Sequence, residues 1–119
     1  MIDIQPTATS PRVYFKEHTL SIEGESYPEN SFAFYKPLLE WFASEFPQWD
    51  KFELHLRINY MNSSSVKCLL DILNILEKAH QSGKTIKVIW FYEKDNNRSF
   101  ELAEEFQEDL ELPFEISAE

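Results

Sequence analysis

Phe52-Glu53-Leu54-His55-Leu56-Arg57-Ile58-Asn59-Tyr60-Met61-Asn62-Ser63-Ser64-Ser65-Val66-Lys67 is the stretch on which the reading of the fold turns. Phe52, Leu54, Leu56, Ile58 and Tyr60 alternate with Glu53, His55, Arg57 and Asn59. Side chains of a strand point to opposite faces in turn, so this is a strand with one face in a core and His55 and Arg57 on the other. Past the polar Asn62-Ser63-Ser64-Ser65 the period changes. Val66, Leu69, Leu70, Leu73, Leu76 and Ala79 form an apolar helical face, and Lys67, Asp71, Asn74, Lys78 and Gln81 a polar stripe opposite. Gly83 stands where a left-handed residue closes such a helix.

Upstream, Val13 to Phe15 and Leu20 to Gly24 read as short strands joined through Lys16 to Thr19, which suggests a hairpin. Tyr35, Leu38, Leu39, Phe42 and Phe46 then follow helical spacing, with Asn30 as N-cap. Pro37 lacks a backbone donor, so a kink or a late helix start is expected there. Downstream, Thr85 to Tyr92 reads as a central strand, with Trp90, Phe91 and Tyr92 as core aromatics. Asp95-Asn96-Asn97 is turn chemistry, followed by an acidic helix with Leu102, Ala103, Phe106 and Leu110 inward, and Phe114 to Ile116 is the last strand. Pro6 to Pro11 is polar and proline-flanked, so residues 1–11 read as a flexible leader.

The order is β-β-α-β-α-β-α-β, an α/β fold with a mostly parallel sheet, because a helical crossover returns the chain to run in the same direction. The loops Ser26 to Asn30, Met61 to Ser65 and Glu93 to Arg98 then leave the same carboxyl edge, the edge that open α/β sheets use for binding. A chain of 119 residues, 43% hydrophobic and 15% aromatic, makes one core and a single domain spanning 1–119.

With 21 Asp and Glu against 11 Lys and Arg, the formal charge is −10, which repels nucleic acid and anionic lipid alike. Cys68 is the sole cysteine, so there is no internal disulfide and no multi-cysteine zinc site. No apolar run is long enough for a membrane span, and Met1 to Pro6 lacks the pattern of a signal peptide, so a cytoplasmic location is expected.

Gly24 and Gly83, the two glycines, lie in no phosphate-cradling loop. His18, His55, His80 and Cys68 share no metal-ligand spacing, and no metal or other cofactor is expected. Glu101, Glu104, Glu105, Glu108 and Asp109 read as a solvated helix face, not a catalytic set. An enzyme built on His55 or Cys68 at the carboxyl edge needs an alternating strand face and a helix interior to converge.

What remains is Asn62-Ser63-Ser64-Ser65, between strand and helix. One Asn or Ser suffices as an N-cap. Three hydroxyls exceed that need, and a helix N-terminus also welcomes a phosphate. Cap and phosphorylation switch both fit the residues.

Ser26-Tyr27-Pro28-Glu29-Asn30 together with Asn62-Ser63-Ser64-Ser65-Val66-Lys67 resembles the SiaC family of bacterial regulatory phosphoproteins. The similarity continues through Trp90-Phe91-Tyr92, Ala103-Glu104-Glu105-Phe106 and Pro113-Phe114, and so spans Pro6 to Ile116. It implies a partner-switching module with a STAS-like fold, similar in logic to anti-sigma-factor antagonists. It further implies a cognate Ser/Thr kinase of the histidine-kinase-like class, a metal-dependent Ser/Thr phosphatase, and a diguanylate cyclase that the unmodified form binds and activates, favouring aggregation and biofilm. By this resemblance the phosphoacceptor falls on Ser63, where the family usually has threonine, with Ser64 and Ser65 as competitors. Asn62, Ser64, Ser65 and Lys67, with Tyr27, Pro28, Glu29 and Asn30 across the edge, are the implied partner-binding residues. The alternative is a scaffold subunit whose serines only cap a helix.

Overall fold

The computed structural model describes residues 2–119. Its elements are β1 (Asp3–Ile4), β2 (Arg12–Lys16), β3 (Thr19–Ser26), α1 (Ser31–Ser44), a short 3-10 turn (Phe46–Gln48), β4 (Lys51–Met61), α2 (Ser63–Gln81), β5 (Thr85–Tyr92), α3 (Asn97–Glu108) and β6 (Phe114–Ala118). The six strands form one sheet in chain order. From β3 to β6 neighbours are parallel, while β1 and β2 join antiparallel to β3.

Parallel strands in sequential order, linked by right-handed crossovers, put every crossover helix on the same side of the sheet. The register bears this out. Leu54 stands beside Leu20 and Val88, and Leu56 beside Ile22 and Trp90, all buried. Trp41 and Phe42 of α1 pack on Phe52 at ring distances of 6.0 and 5.7 Å, and Phe106 of α3 packs on Trp90 at 5.7 Å.

The opposite face is charged and, among the described residues, carries no helix. Arg57 donates to Glu119 at 2.9 Å and to Glu23 at 3.4 Å, and its guanidinium lies 4.0 Å above the Phe91 ring centroid. Phe91, expected in a core between helices, is therefore half-buried on the open face beneath Arg57. Residues 89, 91 and 115 share that face through the parallel register.

Local chemistry explains the element ends. β2 and β3 form the expected hairpin, reduced to the two-residue turn Glu17-His18, whose φ values of 48° and 71° match the twist of the strands. Asn30 caps α1 as expected, its Oδ1 accepting from Ala33 N at 3.1 Å. The helix starts at Ser31 and continues through Pro37. Pro37 and Ala33, whose carbonyl loses its helical donor, both lie on the exposed side of the helix, where that carbonyl is open to hydration.

Three further expectations are corrected. Residues 1–11 were expected to be a leader, yet Asp3–Ile4 adds an edge strand to β2, and Ser10 and Pro11 are buried. Tyr60 was expected on the core face. The β3–β4 register shifts between Gly24 and Glu25, with Gly24 opposite Ile58 and Glu25 opposite Tyr60, so Asn59 is the extra residue. That bulge changes the phase: Met61 points inward and Tyr60 is 42% exposed. Gly24 permits it with φ of 118°, a conformation side chains resist. Third, Leu70 was assigned to the inner face of α2 but is 41% exposed, and Ile72 and Cys68 take the inward places.

These assignments are measurable. Leu56→Ala, at a fully buried site, is expected to cost about 2–5 kcal/mol in urea unfolding, and Leu70→Ala to stay within about 0.5 kcal/mol. Equal losses would put Leu70 back in the core.

Candidate functional site

Ser26, Met61 and Tyr92 end three parallel neighbours, so the loops that follow them emerge together at one edge of the sheet. Each loop ends in an asparagine that caps the next helix. Asn30 Oδ1 accepts from Ala33 N, Asn62 Oδ1 from Ser65 N at 2.9 Å, and Asn96 Oδ1 from Ser99 N at 3.0 Å. The residue following each cap differs in a way that matters. It is the buried Ser31 in α1, the exposed Ser63 in α2 and the exposed Asn97 in α3.

Behind the Asn62 turn lies an enclosed chain of hydroxyls. Ser26 Oγ donates to Ser65 Oγ at 2.9 Å and is 2.7 Å from Tyr35 Oη. Ser31 Oγ is 3.1 Å from Ser65 Oγ and donates to Asn62 Oδ1 at 3.4 Å. Ser64 Oγ donates to Ser31 Oγ at 2.8 Å and to Asn62 Oδ1 at 3.3 Å. The network joins the end of β3 to the starts of α1 and α2. Burial pushes the Tyr35 phenol up to about 12, although hydrogen bonds from Ser26 and Ser65 pull the other way.

The expected site residues therefore separate into two groups. Ser65 is fully buried and Asn62 is engaged as the cap, so their polar atoms work inward, and Ser65 as folded is closed to a kinase or a partner. Ser64 is half-buried and held by Ser31. Ser63 faces solvent and takes no part in this network among the described residues. Lys67, one turn on, is exposed, as are Tyr27, Glu29 and Asn30, with Pro28 half-buried.

Several residues here escaped the sequence reading. Phe32 is 55% exposed, and Lys67 Nζ lies 6.0 Å from its ring centroid. Leu70 continues the stripe Ser63, Lys67, Leu70 along α2, since residues four and seven apart share a helix face. Tyr60 stands edge-on to Tyr27 at 5.8 Å, with the Arg98 guanidinium 5.8 Å from the Tyr60 ring. Among the described residues, Tyr27, Phe32, Tyr60 and Leu70 are the exposed large hydrophobics, and they border this edge or run down α2 from it. Arg98 and Tyr60 also line a cavity of about 180 Å³ beside α3, small against the roughly 300–1,000 Å³ of ligand pockets.

Other chemistry finds no support. His55 sits on the open face against Glu53 and Phe91, while Cys68 is buried on the helix side, its thiol pushed up by burial. Sheet separates the two. Among the described residues no cluster of His, Cys, Asp and Glu is arranged to hold a metal. No described helix is long and apolar enough to cross a membrane.

Residues 4–119 match the sequence model of the SiaC family regulatory phosphoproteins. The chain belongs to the SiaC family. It is 38% identical, with a TM-score of 0.95 and full coverage of both chains, to a chain in the crystal structure of the diguanylate cyclase SiaD in complex with its activator SiaC from Pseudomonas aeruginosa. A separate structure of SiaC from Pseudomonas aeruginosa matches with a TM-score of 0.91 at 38% identity over 99% of this chain and 98% of that one. An uncharacterized protein of Pseudomonas aeruginosa strain UCBPP-PA14 is 39% identical over 120 residues, covering 98% of this chain and 95% of its own length. As a SiaC-family member the chain is a regulatory protein and not itself a catalyst.

Two measurements test the network and the cap. Asn62→Ala is expected to lose about 0.5–2 kcal/mol of unfolding free energy. Because the folded pKa of Tyr35 is raised, its contribution is complete below about pH 10 and is lost as pH climbs toward 12. Urea titrations should show a wild-type stability falling faster than that of Tyr35→Phe across that window. Parallel curves for the two proteins would contradict the buried phenol.

Proposed function

We propose that the chain is a phosphorylation-controlled partner switch whose unmodified form binds and activates a diguanylate cyclase, and that a Ser/Thr kinase turns it off by modifying Ser63. The observation that carries this reading is the contrast at one helix start: Ser65 is enclosed, Ser64 is held, and Ser63 is open. The activator role of SiaC toward SiaD supports the class of partner. A metal-dependent phosphatase would restore the unmodified form.

The scaffold alternative, with serines acting only as caps, loses its motive. Asn62 supplies the cap by itself, and the Ser63 hydroxyl is not needed for it.

The mechanism is electrostatic. A phosphoryl group on Ser63 adds about −1.5 to −2 charges at the positive end of α2, which tolerates them, so the fold persists. Lys67, on the same stripe, supplies a cation within one helical turn. The surface around Ser63 carries the exposed apolar side chains Phe32 and Leu70 beside Lys67. A partner surface fitted to a neutral hydroxyl there meets, after modification, a double negative charge that it must desolvate. Binding is weakened without any need for a large conformational change.

In binding assays with the cognate cyclase, Ser63→Ala should match wild type while accepting no phosphate from the kinase, and Ser63→Glu should bind at least about tenfold more weakly. Wild-type affinity in the glutamate variant, or phosphate mapped by mass spectrometry to Ser64 alone, would refute the assignment. Phe32→Ala and Leu70→Ala should weaken cyclase binding with the fold retained.

A further inference from the structure

At the far end of the sheet from Ser63, three aromatic side chains line a second cavity that is open to solvent on one side. Phe15 at the end of β2, Trp41 in the last turn of α1 and Trp49 after the 3-10 turn line about 210 Å³, with Glu45 at the rim. The Phe15 ring lies 5.1 Å from Trp41 and 5.3 Å from Trp49, inclined by 53° and 63°, so two indoles flank one phenyl. The indoles have further aromatic neighbours. His18 meets Trp49 edge-on at 4.7 Å, and Phe42 meets Trp41 edge-on at 5.1 Å.

Three features of the lining favour a cation in this cavity. Aromatic faces carry the negative lobe of a quadrupole and attract cations. Glu45 adds a carboxylate at the rim. Glu45 is also the C-cap of α1, whose last turn has no basic residue, so the negative end of the helix dipole is uncompensated by its own side chains. Lys84 is the cation of this segment: it donates to the wall residue Trp49 at O and to Pro47 O at 2.8 Å each and lies 5.4 Å from the Phe46 ring, while Glu45 is the one charged residue that lines the cavity itself.

The kind of cation follows from what the walls lack. A lysine ammonium brings three N–H donors and a guanidinium five, each needing an acceptor, and this lining offers one carboxylate among carbon surfaces. A quaternary ammonium has no N–H to satisfy and presents methyl groups to the rings. We propose that the Phe15–Trp41–Trp49 cavity is a binding site for a small quaternary ammonium compound of the choline type. It is separate from the Ser63 surface and does not depend on the phosphorylation reading.

The test uses the full chain, nitrogen-labelled, with tetramethylammonium chloride as probe and sodium chloride matching the ionic strength. Proton–nitrogen correlation spectra report the indole N–H groups of Trp41, Trp49 and Trp90. Trp90 is fully buried and donates to Ser99 Oγ at 3.0 Å, so it serves as the internal control. Saturable shifts of Trp41 and Trp49 with Trp90 unmoved are expected. tert-Butanol, the neutral counterpart, and propylammonium, which keeps its N–H donors, should each bind about tenfold more weakly. Glu45→Gln should weaken binding several-fold and Trp49→Ala should abolish it, the unchanged Trp90 signal certifying that each variant is folded. Shifts that rise linearly without saturation, or equal affinity for tert-butanol, would overturn the proposal. Tighter binding of propylammonium would do the same and leave a site for lysine side chains.

Discussion

A hydroxyl sealed inside the protein must find hydrogen-bond partners, and Ser65 finds them on two other elements. Leaving such a group unpaired costs about 1–3 kcal/mol, so Ser26 on β3 and Ser31 on α1 are tied to the first turn of α2. That tie fixes the rotation of α2 about its own axis. Ser63, two residues earlier, is turned by about 200° from Ser65 and consequently faces outward. The inward serine and the outward one are two results of the same constraint. Asn62 completes it by taking Ser65 N, and among the described residues the N–H groups of Ser63 and Ser64 are left as open donors at the helix start.

The sheet supplies the platform. With all crossovers on one side, its inner face is a continuous layer of Leu20, Ile22, Leu54, Leu56, Val88 and Trp90 under three helices. Its outer face relies on Arg57 bridging Glu23 and Glu119 over Phe91. Exposed ion pairs of this sort contribute at most about 1 kcal/mol each, so the burden of stability lies with the inner layer. The same junction chemistry recurs at α3, where buried Ser99 accepts from the Trp90 indole and donates to Ile58 O.

Much of this was legible in the chain. The alternation from Phe52 to Ile58 and the helical spacing after Val66 carry enough periodicity to order strands and helices, and the three loops at one edge follow from that order. The misreadings have physical causes. Tyr60 fits the alternating pattern, but the bulge at Asn59, paired with Gly24, reverses the face it occupies. Leu70 sits beside Leu69 on a helix, and hydrophobicity by itself does not say which of two adjacent leucines faces inward. Asp3–Ile4 is too short to show a period. The hydroxyl network was out of sight for a different reason: Ser26 and Ser65 are 39 positions apart, and small polar residues leave no periodic trace of their meeting. The motif around Ser63 singled out one loop, and only the fold separates its three serines by accessibility.

Strand order has one more consequence. In doubly wound sheets a crevice opens where successive crossovers go to opposite sides, and small molecules settle into that split. Here the strands never reverse their sequence across the sheet, so the carboxyl edge has no such split and forms a ridge of capped helix starts, indented only by the small cavity beside α3. A ridge is poorly shaped to swallow a nucleotide and well shaped to be gripped by another polypeptide.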